Sequence, residues 1–286
     1  MKIGVSAYSF ARLVNSGGLD GDKVLDKAKE MGFDCIEFAG LYLPAGRKPV
    51  EYAKELCERA KTLGIEITNY CTGANFITND IDAEVERVKR DVDIAYALGA
   101  KMIRHDVAYG PMPGGYKSFE KNLDMIVYGA KKVTEYAKSL GIETMTENHG
   151  YFAQDSNRVE MLIDAVHDDN YGALIDIGNF LCADEAPEKA VGVLKSYVKH
   201  VHCKDFYFKS GNGLRPMGPG WFKSRGGNYL KGATVGDGVV PVAQCIDILK
   251  SSGYDGVLSI EYEGCEDVIA CINGGKEYIK KCCGIL

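Results

Sequence analysis

No pair of cysteines in this chain is spaced as CxxC, although ten cysteines are scattered from Cys35 to Cys283. That counts against zinc-ribbon and thioredoxin-type motifs. It points to reduced thiols in a cytoplasmic setting. The adjacent Cys282 and Cys283 are the one unusual spacing, read here as part of a loosely packed tail, with a redox role as the alternative. Histidine is scarce, with five residues, and Trp221 is the single tryptophan. No apolar run approaches the roughly 18 residues of a membrane helix, so no membrane partner is expected. Positive charge is not in excess: 34 Lys and Arg stand against 40 Asp and Glu, a net charge of −6. Such a balance leaves no footprint for nucleic acid. The opening MKIGVSAYSF enters a strand-like run at once, so no leader is expected. The loop after it lacks GxGxxG, which argues against a doubly wound dinucleotide fold.

What is present is a regular alternation. Apolar strand-like runs are expected at 2–8, 34–39, 65–71, 101–107, 142–148, 172–177, 198–205 and 256–263. Between them lie amphipathic stretches such as VEYAKELCERAKTLG, several ending in Gly just before the next strand. This is the glycine C-cap followed by a tight turn. Eight strand–helix units predict an α/β fold, a closed (β/α)8 barrel, with residues 1–286 forming one domain. Two loops exceed what a barrel needs: AYGPMPGGYKS after the fourth strand, and a longer one at about 206–238 after the seventh. Both follow strands, so both belong to the catalytic face.

Polar residues at strand ends carry the chemistry. Glu147 ends the fifth strand and Asp176 the sixth; His202 is on the seventh and Glu261 on the eighth. Buried carboxylates are costly singly, and three together repel one another. One divalent metal ion resolves both problems. Mixed oxygen and nitrogen ligation suits Mn²⁺, Mg²⁺, Co²⁺ or Zn²⁺. Strand alternation puts His200, His202 and Lys204 on one face and turns Cys203 away. Lys204 lies toward the mouth and can reach a substrate oxygen. His200, one layer deeper, is read as a supporting residue. Glu37, in CIEF, is expected to face inward, where it either binds a substrate hydroxyl or pairs with Arg104. Basic residues Lys209, Arg215, Lys223, Arg225 and Lys231 share the long loop with Trp221. They suggest a lid that offsets an acidic mouth or binds an anionic substituent, and that stacks Trp221 on a sugar ring. The other reading of this loop is a solvated surface or a homo-oligomer contact.

The segments GFDCIEF, TENHG, LIDIGN, HVHCKD, VGDG and SIEYEG, in this order, resemble the xylose isomerase-like TIM-barrel superfamily. The resemblance runs over nearly the whole chain. It places the family's metal ligands on Glu147, Asp176, His202 and Glu261, the same four residues. It implies acid–base work by Glu147 and Glu261 and a small carbohydrate substrate. The implied enzyme is a metal-dependent isomerase or epimerase working through an enediolate. A dehydratase of the inosose dehydratase type is the alternative, with Lys204 delivering a proton to the departing hydroxide. A non-catalytic sugar-binding barrel is a further alternative, against which the intact ligand set argues. Two departures stand out. Asn179, which can bind substrate by hydrogen bonds, replaces the histidine of the family's DxxH. No second glutamate follows Glu147, unlike in ketose 3-epimerases. Five histidines are too few for the trinuclear zinc site of endonuclease IV.

Overall fold

The computed structural model describes residues 1–213 and 217–285. Arg215 of the long loop lies outside them. Eight parallel strands close into a barrel: β1 (Lys2–Ser6), β2 (Cys35–Ala39), β3 (Glu66–Thr72), β4 (Met102–His105), β5 (Glu143–Glu147), β6 (Tyr171–Asp176), β7 (Val198–Cys203) and β11 (Val257–Ile260), which returns to β1. Around them run α1 (Ala11–Asn15), α2 (Gly21–Glu30), α3 (Pro49–Leu63), α4 (Ile81–Ala97), α5 (Phe119–Ser139), α6 (Ser156–Val166), α7 (Pro187–Leu194), α8 (Val242–Ser251) and α9 (Val268–Cys283). Asp20, Asp80, Ser118, Asp155 and Asp267 cap helix N-termini through their side chains, satisfying donors that have no partner within the helix. At the other end of α3, Gly64 adopts φ 62°, the left-handed cap its position predicts. Among the described residues no helix is long and apolar enough to cross a membrane.

The main core lies between strands and helices. Val5, Phe38, Ile103, Ile175, Val201 and Ile260 belong to it, all fully buried. Period-2 alternation then turns the neighbouring residues into the barrel. There the apolar cluster is small: Cys71, Met145 and Leu174, with Ala39 and Met102 against them. The rest of the interior is polar, including Glu37, Asn69, His200 and Ser259 well below the mouth. The barrel's inside is therefore given over to charge. Outward-facing apolar surface supplies the hydrophobic stabilisation.

The segment after β7 is more ordered than a loop. It folds into a three-stranded antiparallel sheet of β8 (Asp205–Lys209), β9 (Phe222–Lys223) and β10 (Tyr229–Ala233), with β10 in the middle. The aromatic run FYFK favours extended backbone. Phe206 and Leu230 bury themselves with Cys182, giving this excursion a core of its own. Its two roots are tied together by Asp205. That carboxylate accepts hydrogen bonds from the backbone N–H of Phe206, Gly236, Gly238 and Val240 at 2.8 to 3.0 Å. The expected strand at 198–205 thus breaks at Lys204, between the barrel and the excursion.

Removing the Asp205 acceptor strands these buried donors. Asp205→Ala is expected to destabilise the protein by about 3 kcal/mol, the scale for unsatisfied buried groups. Asp205→Asn, which keeps one oxygen, should lose less. Thermal melting would show a lower midpoint for both; an unchanged midpoint in the Ala variant would remove the clamp from the account.

Candidate metal and active site

Parallel pairing sets Asp176 of β6 beside His202 of β7, with Ser259 of β11 on the other side of His202. Glu147 ends β5, and Glu261 follows the last residue of β11. One ligand atom from each of Glu147, Asp176, His202 and Glu261 can be chosen so that all lie within 4.8 Å of one another. From His202 Nδ1 the distances are 3.8 Å to Glu147 Oε1, 3.8 Å to Asp176 Oδ2 and 3.5 Å to Glu261 Oε2. All four side chains are buried. His202 Nδ1 faces this centre without a hydrogen-bond partner, which buried polar atoms seldom do. Three carboxylates and one imidazole, with no thiolate among them, fit a single divalent cation.

The electrostatics show the strain of the arrangement. Burial, reinforced by repulsion from Glu261 and Glu147, pushes Asp176 up to about 7 despite the pull of Lys204. Burial acts the same way on Glu261, but there the Lys204 ammonium and the His202 imidazole prevail. They hold it well below the ordinary carboxylate range. Burial opposes charge on His202 as well, yet Glu37 and Glu261 raise it well above an ordinary histidine.

Glu37 differs from its expected role. It is fully buried and pairs with the two histidines of β7: Oε1 is 2.5 Å from His202 Nε2, and Oε2 is 2.8 Å from His200 Nε2. Asn69 Nδ2 also donates to Glu37 at 3.2 Å. The ion pair between Glu37 and Arg104 does not form. Arg104 leans toward the next strand instead, its Nε 2.9 Å from Glu147 Oε2 and its Nη1 3.2 Å from Asp106 Oδ1. The reason is register. Arg104 of β4 is paired with Met145 of β5, one inward position below Glu147; on its other side it is paired with Cys71 of β3, itself paired with Ala39 of β2, one inward position above Glu37. With Nε2 turned to Glu37, His202 presents Nδ1 to the cluster, the carboxylate–histidine pairing that orients metal ligands.

Lys204 sits deep, its Nζ 2.6 Å from Glu261 Oε2, 3.0 Å from Asp176 Oδ2 and 3.5 Å from Glu263 Oε2. Asn179 bridges two of the groups: its Nδ2 donates to Glu147 Oε1 at 3.0 Å, and its Oδ1 accepts from Lys204 at 3.2 Å. Its backbone N–H donates to Asp176 Oδ1 at 3.0 Å. The turn before it needs Gly178, where a Cβ would lie 2.8 Å from the Lys204 carbonyl oxygen. Trp221 is half-buried on the excursion, with Lys209 Nζ 6.0 Å from its ring centroid. Among the described residues, the excursion's other basic side chains have partners on the protein. Arg225 pairs with Asp155 at 2.8 Å, Lys231 with Glu266 at 2.7 Å, and Lys223 lies over Tyr229. They do not form the free basic lid expected for an acidic mouth.

Several neighbours of the site were not singled out by sequence reasoning. Asn148 exchanges two hydrogen bonds with the backbone of Asp176, both 2.8 Å, locking β5 to β6 beside the ligands. Its signal was present in TENHG. Ser6 Oγ donates to Glu261 Oε1 at 3.4 Å, and His149 Nδ1 lies 3.1 Å from Asp106 Oδ1. Glu263 could have been found by alternation, two residues beyond Glu261.

Comparison with known proteins bears on the family and the fold. Residues 25–281 match the family described as xylose isomerase-like TIM barrel. An inosose dehydratase from Glaesserella parasuis serovar 5 is 23% identical over 243 residues, covering 78% of each chain. The probable 3-DHS dehydratase involved in petrobactin synthesis from Bacillus anthracis superposes with a TM-score of 0.75 at 17% identity, over 98% of this chain and 99% of that one. A D-tagatose 3-epimerase-like protein gives 0.74 at 20% identity, over 100% and 98%. The two solved structures share the fold. The protein is an enzyme, and, matched along most of its length, the chain belongs to the xylose isomerase-like TIM barrel family.

Proposed function

We propose that the protein is a divalent-metal-dependent isomerase or epimerase of a sugar or sugar derivative. The observation that carries this reading is the pair Glu147 and Glu261, both within ligand reach of His202 Nδ1 yet held by different partners. Arg104 and Asn179 hold Glu147, whereas Lys204 and Ser6 hold Glu261. A divalent ion bound by the four residues would polarise adjacent oxygens of a hydroxy-ketone and acidify the hydrogen on the neighbouring carbon. One glutamate then removes that proton and the other returns one, which is the work of an isomerase or epimerase. Asn179 and Arg104 keep the Glu147 carboxylate aimed. Lys204 donates a hydrogen bond to a substrate oxygen where charge develops. Burial of all these groups limits the access of water.

A second reading is favoured by one observation, the depth of Lys204. Its ammonium is almost fully buried and 2.6 Å from Glu261. It can pass a proton to a departing hydroxide, the step a dehydratase requires. The relative named inosose dehydratase supports this reading.

Solvent deuterium entering a ketose or inosose substrate would report proton transfer at carbon. Glu147→Gln and Glu261→Gln each keep an oxygen and are expected to slow exchange by at least about 100-fold, the scale of a lost general base. Full exchange in both variants would place the base elsewhere.

Lys204→Met separates the two readings. If the enzyme isomerises, the variant still exchanges deuterium into substrate and product formation is slowed. If it dehydrates, the variant exchanges but releases no water. Wild-type rates in both assays would make Lys204 structural only.

A further inference from the structure

Lys204 and the four-residue cluster draw on the same oxygens. Lys204 Nζ lies 3.0 Å from Asp176 Oδ2 and 2.6 Å from Glu261 Oε2. These are the two oxygens that face His202 Nδ1, at 3.8 and 3.5 Å. Asp176 Oδ1 is already committed. It accepts the backbone N–H of Gly178 at 2.9 Å and of Asn179 at 3.0 Å. A divalent ion held by the cluster would therefore share Asp176 Oδ2 with the ammonium. Two positive groups so close repel each other, and burial leaves little water to screen them.

A third carboxylate is within reach. Glu263 Oε2 is 3.5 Å from Lys204 Nζ, the longest of the three carboxylate contacts. Register explains the placement. Ser259 is paired with His202, and the Glu261 N–H donates to the Cys203 carbonyl at 3.1 Å. Tyr262 turns outward into the main core. Alternation then sets Glu261 beside Lys204 and carries Glu263 one inward position farther toward the mouth. Side-chain exposure rises in step, from 0% for Asp176 to 7% for Glu261 and 25% for Glu263. Glu263 is not one of the four clustered ligand groups. Among the described residues, Lys204 is the one cation paired with it.

Resting on the reading of Glu147, Asp176, His202 and Glu261 as a metal site, we infer that Glu263 takes over the Lys204 ammonium when Asp176 Oδ2 and Glu261 Oε2 bind the ion. The ammonium stays charged and only changes partners. Asn179 Oδ1, 3.2 Å from Nζ, remains an acceptor for it. Glu263 is thus a positioning residue with two effects. It relieves the repulsion that opposes the ion, and it draws Nζ toward the mouth, where a substrate oxygen can meet it.

The test is Mn²⁺ binding to the full chain by calorimetry, arranged as a double-mutant cycle. Glu263→Gln keeps the shape and should weaken Mn²⁺ binding by at least about ten-fold, because the ammonium then stays on the ligand oxygens. Lys204→Met removes the competitor and should tighten it by about ten-fold. With Lys204→Met in place, adding Glu263→Gln should change the affinity by no more than about three-fold. An equal loss in both backgrounds would show that Glu263 acts on the ion through its charge alone, and would overturn the inference. Weaker Mn²⁺ binding in a folded Lys204→Met variant would do the same. If that variant does not fold, Mn²⁺-soaked wild-type crystals decide. Nζ should then lie about 3 Å from Glu263 and clear of Asp176 Oδ2; Nζ still on Asp176 and Glu261 beside a bound ion would overturn the inference. Wild type that binds no Mn²⁺ would remove the metal reading and the inference together. Mn²⁺ bound by Glu263→Gln at wild-type strength would remove the inference alone.

Discussion

Three carboxylates, Glu147, Asp176 and Glu261, meet around one imidazole, all buried, at the strand ends that form the barrel's mouth. Each loses hydration on folding, and each repels the other two. The remainder of the interior is organised to offset this. Arg104 supports Glu147, Lys204 supports Asp176 and Glu261, and Glu37 clamps His202 from below. Even so, His202 Nδ1 stays without a partner, and Asp176 Oδ2 has only the Lys204 ammonium, 3.0 Å away. A divalent cation is the group that satisfies both at once. The barrel can tolerate so polar an inside because its apolar packing lies on the other face of the strands, against the helices.

The same constraint explains the second layer and the excursion. His202 is a useful ligand only if its ring is held in one orientation, and Glu37 does this while engaging His200 as well. The strand that carries His202 and Lys204 must then end abruptly, because the chain leaves the barrel to build β8 to β10. Asp205 absorbs that change of direction by gathering four backbone donors. Within the short run HVHCKD, alternate residues therefore serve two tasks. His200, His202 and Lys204 face the chemistry, and Asp205 holds the root of the excursion.

Much of this was legible in the sequence, for physical reasons. Strand alternation and glycine caps such as Gly64 are local signals, so eight strand–helix units could be counted without a structure. Residues at equivalent strand ends converge in any closed barrel, so Glu147, Asp176, His202 and Glu261 could be grouped before their distances were known. Pairing across the barrel is not local. Nothing in CIEF says that Glu37 will meet His200 and His202 rather than Arg104, because that depends on stagger between non-neighbouring strands. The three-stranded excursion was hidden for a similar reason. Its strands are short and interrupted by glycine-rich stretches, and their stability comes from Phe206 and Leu230 packing on Cys182 of another loop. The charges of Arg225 and Lys231 looked free in sequence, but their partners Asp155 and Glu266 come from loops distant along the chain.

The central claim is that the four inward residues bind one divalent cation and that His202 does so through Nδ1. Anomalous diffraction from crystals of chelator-treated protein soaked in Mn²⁺ tests it most directly. The account predicts one strong anomalous peak at bonding distance from Glu147, Asp176, Glu261 and His202 Nδ1, with Nε2 still on Glu37. An empty cluster at saturating Mn²⁺, or an ion bound through His202 Nε2 with Glu37 displaced, would contradict it.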